Sequence, residues 1–262
     1  MAARCRATTS TTMPAKSRWE KVVAVVLALL LWQLGAMALN SPILLVSPLR
    51  VLVRLSELVR QSSFYAAIGF SLARIVAGFL FGLIGGSLLA AVASRWHPVE
   101  VLLWPYITVI KTTPVASFII LCLIWLDSSN LSVFIAFLMV LPIVYANVLE
   151  GIRQTDQKLL EMARLFRVGF GRRLRYIYLP QLRPYLTTAC SIALGLSWKA
   201  GIAAEVIGIP DGSIGEMLYE AKVYLSSPDL FAWTVVIIAV SILFEKLFLL
   251  LLKAGYSRLE QG

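Results

Sequence analysis

Apolar residues run in long stretches separated by short polar breaks, and their lengths predict six membrane-crossing helices. The first covers Val22 to Leu39. Pro42 and Pro48 then interrupt the chain, and Leu49 to Val59 reads as a short surface helix. The second span, Ala66 to Ala93, carries Gly78, Gly82 and Gly86 at every fourth position, a smooth strip against which another helix can pack closely. The third, Val101 to Leu126, contains Pro105 and Pro114. The carbonyls these prolines free are tolerated only where protein or water takes them up, so this span is expected to face the bundle interior. The fourth is Leu131 to Leu149, the fifth Tyr185 to Ile207 and the sixth Leu230 to Leu252.

Composition agrees with this pattern. The 262 residues are 59% hydrophobic and only 15% charged, so the class is all-α and integral to a membrane. The net charge of +10 collects in the segments that flank the spans, where topology accounts for it. Aromatic-rich basic patches that stack bases are absent, and nucleic acid is not an expected partner. Cys5, Cys122 and Cys190 form neither a ligand pair nor a disulfide framework, and no metal site is expected. No nucleophile is paired with a base, so no catalytic residue is expected. His97, beside Arg95 and Pro98, reads as an interfacial turn residue.

The segment from Glu150 to Pro184 holds eight Lys or Arg residues against three acids, and such a loop is kept on the cytoplasmic side. This puts both termini inside, with a cytoplasmic tail at 1–21, a membrane domain at 22–252 that includes the loop 150–183, and a second cytoplasmic tail at 253–262. Residues 1–21 share the composition of a transit peptide, and Ala36-Met37-Ala38 fits a peptidase site. Val22 to Leu39 nonetheless suffices as an uncleaved anchor. Arg50, Arg54 and Arg60 fall outside and run against the charge rule. Within the basic loop, Gln157 to Phe166 can form a helix with Leu159, Leu160, Ala163 and Phe166 on one face. Gly169 and Gly171 mark a break, and Arg172 to Leu182 restarts. On physics alone the loop is either a docking element or an interfacial helix pair holding acidic lipid headgroups.

Ionisable residues at membrane depth are costly and usually face the interior, which singles out Arg74, Lys111, Lys199 and Glu205. Lys199 and Glu205 stand six residues apart, about 9 Å along a helix axis, and do not share a face. Trp198 and Glu205, seven apart, do. Structural ion pairs, or snorkelling in the case of Lys111, compete with a role in a transport pathway. The outside segment Ile209 to Asp229 can hold an amphipathic helix with Ile214, Met217 or Leu218, Ala221 and Leu225 on one side.

At the basic loop the sequence resembles the permease subunit of ATP-binding cassette importers. Glu161-Met162-Ala163, followed by Ile177-Tyr178-Leu179-Pro180, matches the spacing of that family's cytoplasmic motif. Met162 stands for the family's middle alanine, and Arg167 stands where its glycine is expected. A non-glycine residue in the left-handed region costs about 1–2 kcal/mol, so the turn is expected to shift to Gly169. Ser71-Leu72-Ala73-Arg74 with Gly78-Phe79, Lys111-Thr112-Thr113-Pro114, Pro142 to Asn147 with Gly151, and Ala204-Glu205 before Gly212 and Gly215 are similar to the nitrate, sulfonate and taurine branch.

The resemblance implies a type I importer permease fold in a bacterial-type inner membrane. It also implies a permease homodimer, two ATPase subunits, an extracytoplasmic substrate-binding protein and surrounding lipid. The chain itself is then no enzyme and holds no cofactor, because ATP is bound by the partner subunit. ATPase coupling falls to Glu161 and Ala163 by the motif, to Arg164, Leu165 and Phe166 by helical spacing, and to Gly169, Leu179 and Pro180 of the same loop. The substrate pathway falls to Arg74, Lys111, Lys199 and Glu205, and the contact with the binding protein to Glu216, Glu220 and Lys222. Three cations against one acid lean to a small anion such as nitrate, a sulfonate or taurine, although the branch also carries cationic vitamin precursors. A secondary transporter driven by an ion gradient is the alternative; it needs a midplane ion site on paired broken helices.

Overall fold

The computed structural model describes residues 18–39, 41 and 44–261, and every regular element among them is helical. The chain order is α1 (Arg18–Leu39), α2 (Pro48–Leu58), α3 (Ser62–Arg95), α4 (His97–Thr112), α5 (Val115–Cys122), α6 (Ser128–Arg153), α7 (Gln157–Leu165) and α8 (Phe170–Arg173). A π-helical turn (Leu174–Tyr178), α9 (Leu179–Gly208), α10 (Ile214–Val223) and α11 (Ser227–Gln261) complete it. Most of the N-terminal tail, with Cys5, and the break at Pro42 lie outside the described residues.

Among the described residues, five helices are long and apolar enough to cross a membrane on their own, and α4 with α5 makes a sixth candidate bent by 105°. The third predicted span is therefore not one interrupted helix but two. Pro114 has no N–H to continue α4, and it drives Thr113 into an extended conformation (φ −71°, ψ 130°). Hydroxyls take up carbonyls near this break, from Thr112 to Thr108 O (3.0 Å) and from Thr113 to Val109 O (2.7 Å). At the start of α4, Glu100 pairs with Arg153 at the end of α6. Just beyond α5, Leu123 lies near Gly208 at the end of α9, beside Leu131 and Ser128 of α6. The bent pair thus reaches from one end of α6 to the other.

The core is built on α3, α6 and α9. The predicted glycine strip of α3 lies on α6: a Cβ at Gly82 would stand 2.6 Å from Val140 Cβ, and one at Gly86 2.8 Å from the Leu141 carbonyl. A Cβ at Gly78 would collide with the Val133 carbonyl. Around this seam Phe79, Val140, Val144, Cys190 and Leu194 are fully buried. α11 leans on the same seam through Phe248, whose ring meets Phe79 edge-on at 4.9 Å between centroids. α1 is almost entirely exposed and touches the bundle through Trp32 and Phe231, 5.7 Å apart.

α11 does not stop at the predicted end, Leu252, but runs on to Gln261, because the residues between contain no proline and are mostly good helix formers. On α2, Val51 and Leu58 are buried. Arg54 pairs with Asp229 at the start of α11 and with Glu57 at 2.7 Å. These two carboxylates, Asp229 foremost, hold the Arg54 guanidinium above its ordinary value. One of the three cations that run against the charge rule is thus neutralised in place.

Candidate functional site

The basic loop folds into a small structure of its own. Asp156 caps α7 by accepting the Lys158 N–H (2.9 Å), and its own N–H donates to Gln181 Oε1 (2.8 Å), which ties α7 to the first turn of α9. Leu160 and Ala163 turn inward and pack on Ile177, with Val168 and Tyr178 beside them. The two halves of the sequence motif, Glu161 to Ala163 and Ile177 to Pro180, therefore meet in space. Pro180 explains the π turn before it. It has no N–H to donate and crowds the carbonyl four residues back, so the Leu179 N–H bonds to Leu174 O, five residues back.

The predicted apolar face of α7 is divided by this packing. Leu160 and Ala163 are buried, while Leu165 and Phe166 are 82% and 76% exposed. Ala163 was expected on the docking face; it lies beneath it, 2% exposed and packed with Ile177. Glu161, Arg164, Gly169 and Pro180 are exposed, and Leu179 is half-buried. Leu165, Phe166 and Phe170 are exposed apolar side chains, and with the exposed Arg164, Arg167 and Arg172 they make this stretch a mixed apolar and cationic patch along the chain.

The turn after α7 corrects another expectation. It has not shifted to Gly169, which has an ordinary φ of −61° and caps α8. Arg167 itself adopts the left-handed conformation, at φ 50°. The Val168 N–H bonds to Ala163 O (2.8 Å) and the Arg167 N–H to Arg164 O (3.0 Å), the paired bonds of a Schellman cap. Burial of Val168 against Leu160 and Ala163 closes the motif and offsets the strain. Arg167→Gly is expected to raise the stability of the isolated chain by about 0.5–1 kcal/mol, after the added freedom of the unfolded chain is counted. A thermal melt that falls on this substitution would contradict it.

The four ionisable residues expected in a pathway are not gathered into one site. Lys199 is exposed, while its neighbour Trp198, about a quarter-turn round α9, is buried. It ends a stripe of exposed residues, Pro184, Thr188, Ile192, Leu196 and Lys199, at helical spacing. Lys111 is exposed and lines a cleft of about 280 Å³ with Glu100, Thr108, Tyr145 and Arg153. Arg74 is half-buried, its guanidinium 4.1 Å from the centre of the Phe70 ring. Glu205 is fully buried and accepts a hydrogen bond from Ser71 Oγ at 2.6 Å.

Sequence reasoning missed Ser71 as that partner. It also missed Glu245 of α11, which accepts from Ser191 Oγ of α9 at 3.0 Å. An acid inside the last apolar run was the available signal for Glu245. A serine gives no comparable signal.

On α10 the expected apolar side is only partly right. Ile214 and Ala221 are buried, but Leu225 lies past the helix end, at φ 53° and 69% exposed. Ser213 caps α10 by accepting the Glu216 N–H (2.9 Å), and the Glu216 carboxylate takes the Gly212 N–H. Of the three residues expected to meet a binding protein, Glu216 is half-buried in this cap. Glu220 and Lys222 are exposed.

A family model described as binding-protein-dependent transport system inner membrane component matches residues 78–260. The chain is 26% identical over 216 residues to SsuC of Bacillus subtilis strain 168, a permease protein named for aliphatic sulfonates transport; the match covers 81% of this chain and 77% of that one. It is 27% identical over 177 residues to the bicarbonate transport system permease protein CmpB of Synechococcus elongatus, covering 67% of this chain and 64% of the relative. A solved structure described as an amino acid ABC transporter with histidines superposes with a TM-score of 0.55 at 20% identity, covering 78% of this chain and 97% of that chain. At that identity the likeness speaks for the fold.

Proposed function

Since the chain belongs to the family of binding-protein-dependent transport system inner membrane components, we propose that it is the pathway-forming permease of an ATP-driven importer of small anions. Two copies enclose the pathway, and the exposed α9 stripe from Pro184 to Lys199 faces the second copy. Two ATPase subunits dock on α7, with its exposed Leu165, and on the neighbouring Phe166 and Phe170. An extracytoplasmic binding protein meets Glu220 and Lys222 of α10. The chain binds no ATP and catalyses nothing itself. Both termini and the basic loop are cytoplasmic.

The observation that carries this reading is the meeting of the two motif halves. Ala163 and Ile177 pack together and hold α7 against the base of α9. A push on α7 is thus delivered to a helix that runs through the bundle. The patch left uncovered is apolar at its centre and cationic at its rim, the make-up of a protein-docking surface.

Exposed Lys199 and Lys111 favour an anionic cargo, as do relatives named for sulfonate and bicarbonate transport. The test is ATP-dependent uptake of a short alkyl sulfonate, and of bicarbonate, into proteoliposomes holding the complete complex. Lys199→Ala is expected to raise the KM for the cargo about tenfold, the value of one lost charge contact of about 1.4 kcal/mol. Unchanged uptake kinetics would remove Lys199 from the pathway.

A further inference from the structure

We infer that Glu205 is a positioning residue that clasps α10 to the bundle, not a residue that lines the substrate pathway. Its side chain is fully buried, with no surface to offer a passing solute. Its carboxylate is instead wrapped by neighbouring elements. Ser71 Oγ of α3 donates to Oε2 at 2.6 Å, and the Gly215 N–H of α10 approaches the same oxygen at 3.4 Å. Ser71 Oγ in turn accepts the Ile214 N–H at 3.0 Å. The buried hydroxyl of Ser132, from α6, lies near the carboxyl, and among the described residues neither it nor Glu205 Oε1 makes a hydrogen bond elsewhere.

The first turn of a helix carries backbone N–H groups with no partner inside the helix. In α10 the Glu216 N–H goes to Ser213 of the same segment, while those of Ile214 and Gly215 go to Ser71 and Glu205, on two other helices. A carboxylate at the positive end of a helix, out of water, is held more strongly than one on a surface.

The backbone around the contact is adapted to it. A Cβ on Gly215 would collide with Glu205 Cβ, so α10 can approach only where residue 215 is glycine. Ile209, a β-branched residue, is held in the left-handed region at φ 48°, ψ 56°, and its N–H bonds to Glu205 O at 2.8 Å. A conformation of this kind costs about 1–3 kcal/mol and persists only where its surroundings enforce it. Here the chain must reverse between Gly208 and Ile214 to bring the start of α10 onto Glu205. Glu205 therefore ends α9 with its backbone and begins α10 with its side chain. The clasp makes α3, α9 and α10 move as one at this end of the bundle.

The contact of α10 with a binding protein rests on the proposed permease function, but the clasp can be measured without transport. Ala221 lies on the covered side of α10 and is 5% exposed. Ala221→Cys in a Cys5→Ser background, with Cys122 and Cys190 buried, gives a reporter that a water-soluble maleimide reaches only when α10 lifts. The full-length protein in nanodiscs is the sample. Glu205→Ala is expected to speed labelling about tenfold, as loss of a buried hydrogen-bond acceptor implies. Glu205→Gln keeps an acceptor oxygen and is expected to restore most of the protection.

Labelling of Glu205→Ala at the rate of the unsubstituted residue would overturn the clasp. Should that variant not fold, Ser71→Ala removes the bridging hydroxyl in the same space. It is expected to speed labelling severalfold, and an unchanged rate would overturn the clasp equally. Failure of ATP-driven uptake in the parent protein would sink the permease reading and leave this result standing.

Discussion

Phe166→Glu is expected to reduce recovery of the ATPase subunit with the tagged protein by about 30-fold or more, the equivalent of losing a central aromatic anchor worth about 2 kcal/mol. Phe166 is 76% exposed and sits between Leu165 and Arg167, at the end of α7. Among the described residues it is left largely uncovered, so its substitution leaves the fold of the loop alone and acts on the contact. Charge also matters, because the rim of the patch is cationic and an acid at its centre pairs with those arginines instead of entering a partner's groove. Phe166→Leu keeps apolar area and is expected to retain most of the binding. Ala163→Leu should abolish binding for a different reason: its added volume has to displace Ile177, and the motif halves separate. Circular dichroism distinguishes the two, since only the second variant loses structure. Equal recovery of the ATPase with Phe166→Glu would remove α7 from the docking surface.

Gly82→Leu is expected to prevent α3 from seating on α6 and to destabilise the protein by about 3 kcal/mol or more, beyond the usual range for an overpacked core. The first added atom already stands 2.6 Å from Val140 Cβ, with the Phe137 carbonyl 3.0 Å away. Backbone cannot yield as a side-chain tip can, so the helices must part. In a membrane, separation forfeits the close packing that drives helix association. Gly69→Ala on the same helix is the control, because a Cβ there meets nothing within 4 Å. It is expected to be neutral, or stabilising by up to about 1 kcal/mol through helix propensity. The measurement is the temperature at which half of each variant remains monodisperse in detergent. Equal temperatures for Gly82→Leu and the parent would contradict the packing.

Much of this architecture is legible in the sequence, because the membrane imposes it. Long apolar runs mark the crossings, and Gly78, Gly82 and Gly86 at a period of four mark the side of α3 that meets α6. Pro114 marks the break between α4 and α5, although the 105° bend is a property of the packing around it. What periodicity does not tell is which part of an apolar band is covered by the chain itself. Leu160 and Ala163 share a band with Phe166, yet only the first two meet Ile177.

Two further residues show how tertiary packing overrides local preference. Arg167 takes a left-handed conformation that glycine would adopt more readily, because the chain must turn there for Val168, one residue before Gly169, to pack on Leu160 and Ala163. Leu225 fits the periodicity of α10, but the helix ends at Val223 and the following turn carries Leu225 outward. Glu205 illustrates a third limit. A charge at depth signals that the residue matters, while its partners, Ser71 and Gly215, lie 134 and 10 residues away.

The central claim is that this chain passes cargo under the control of a separate ATPase. Purification of the tagged protein from its native membrane, with identification of its partners and an ATPase assay of the eluate, tests it most directly. The expected result is co-purification of an ATP-binding cassette subunit with ATPase activity, and loss of both in the Phe166→Glu variant. Recovery of the chain alone, with uptake that persists in vesicles lacking ATP and follows an ion gradient, would contradict it.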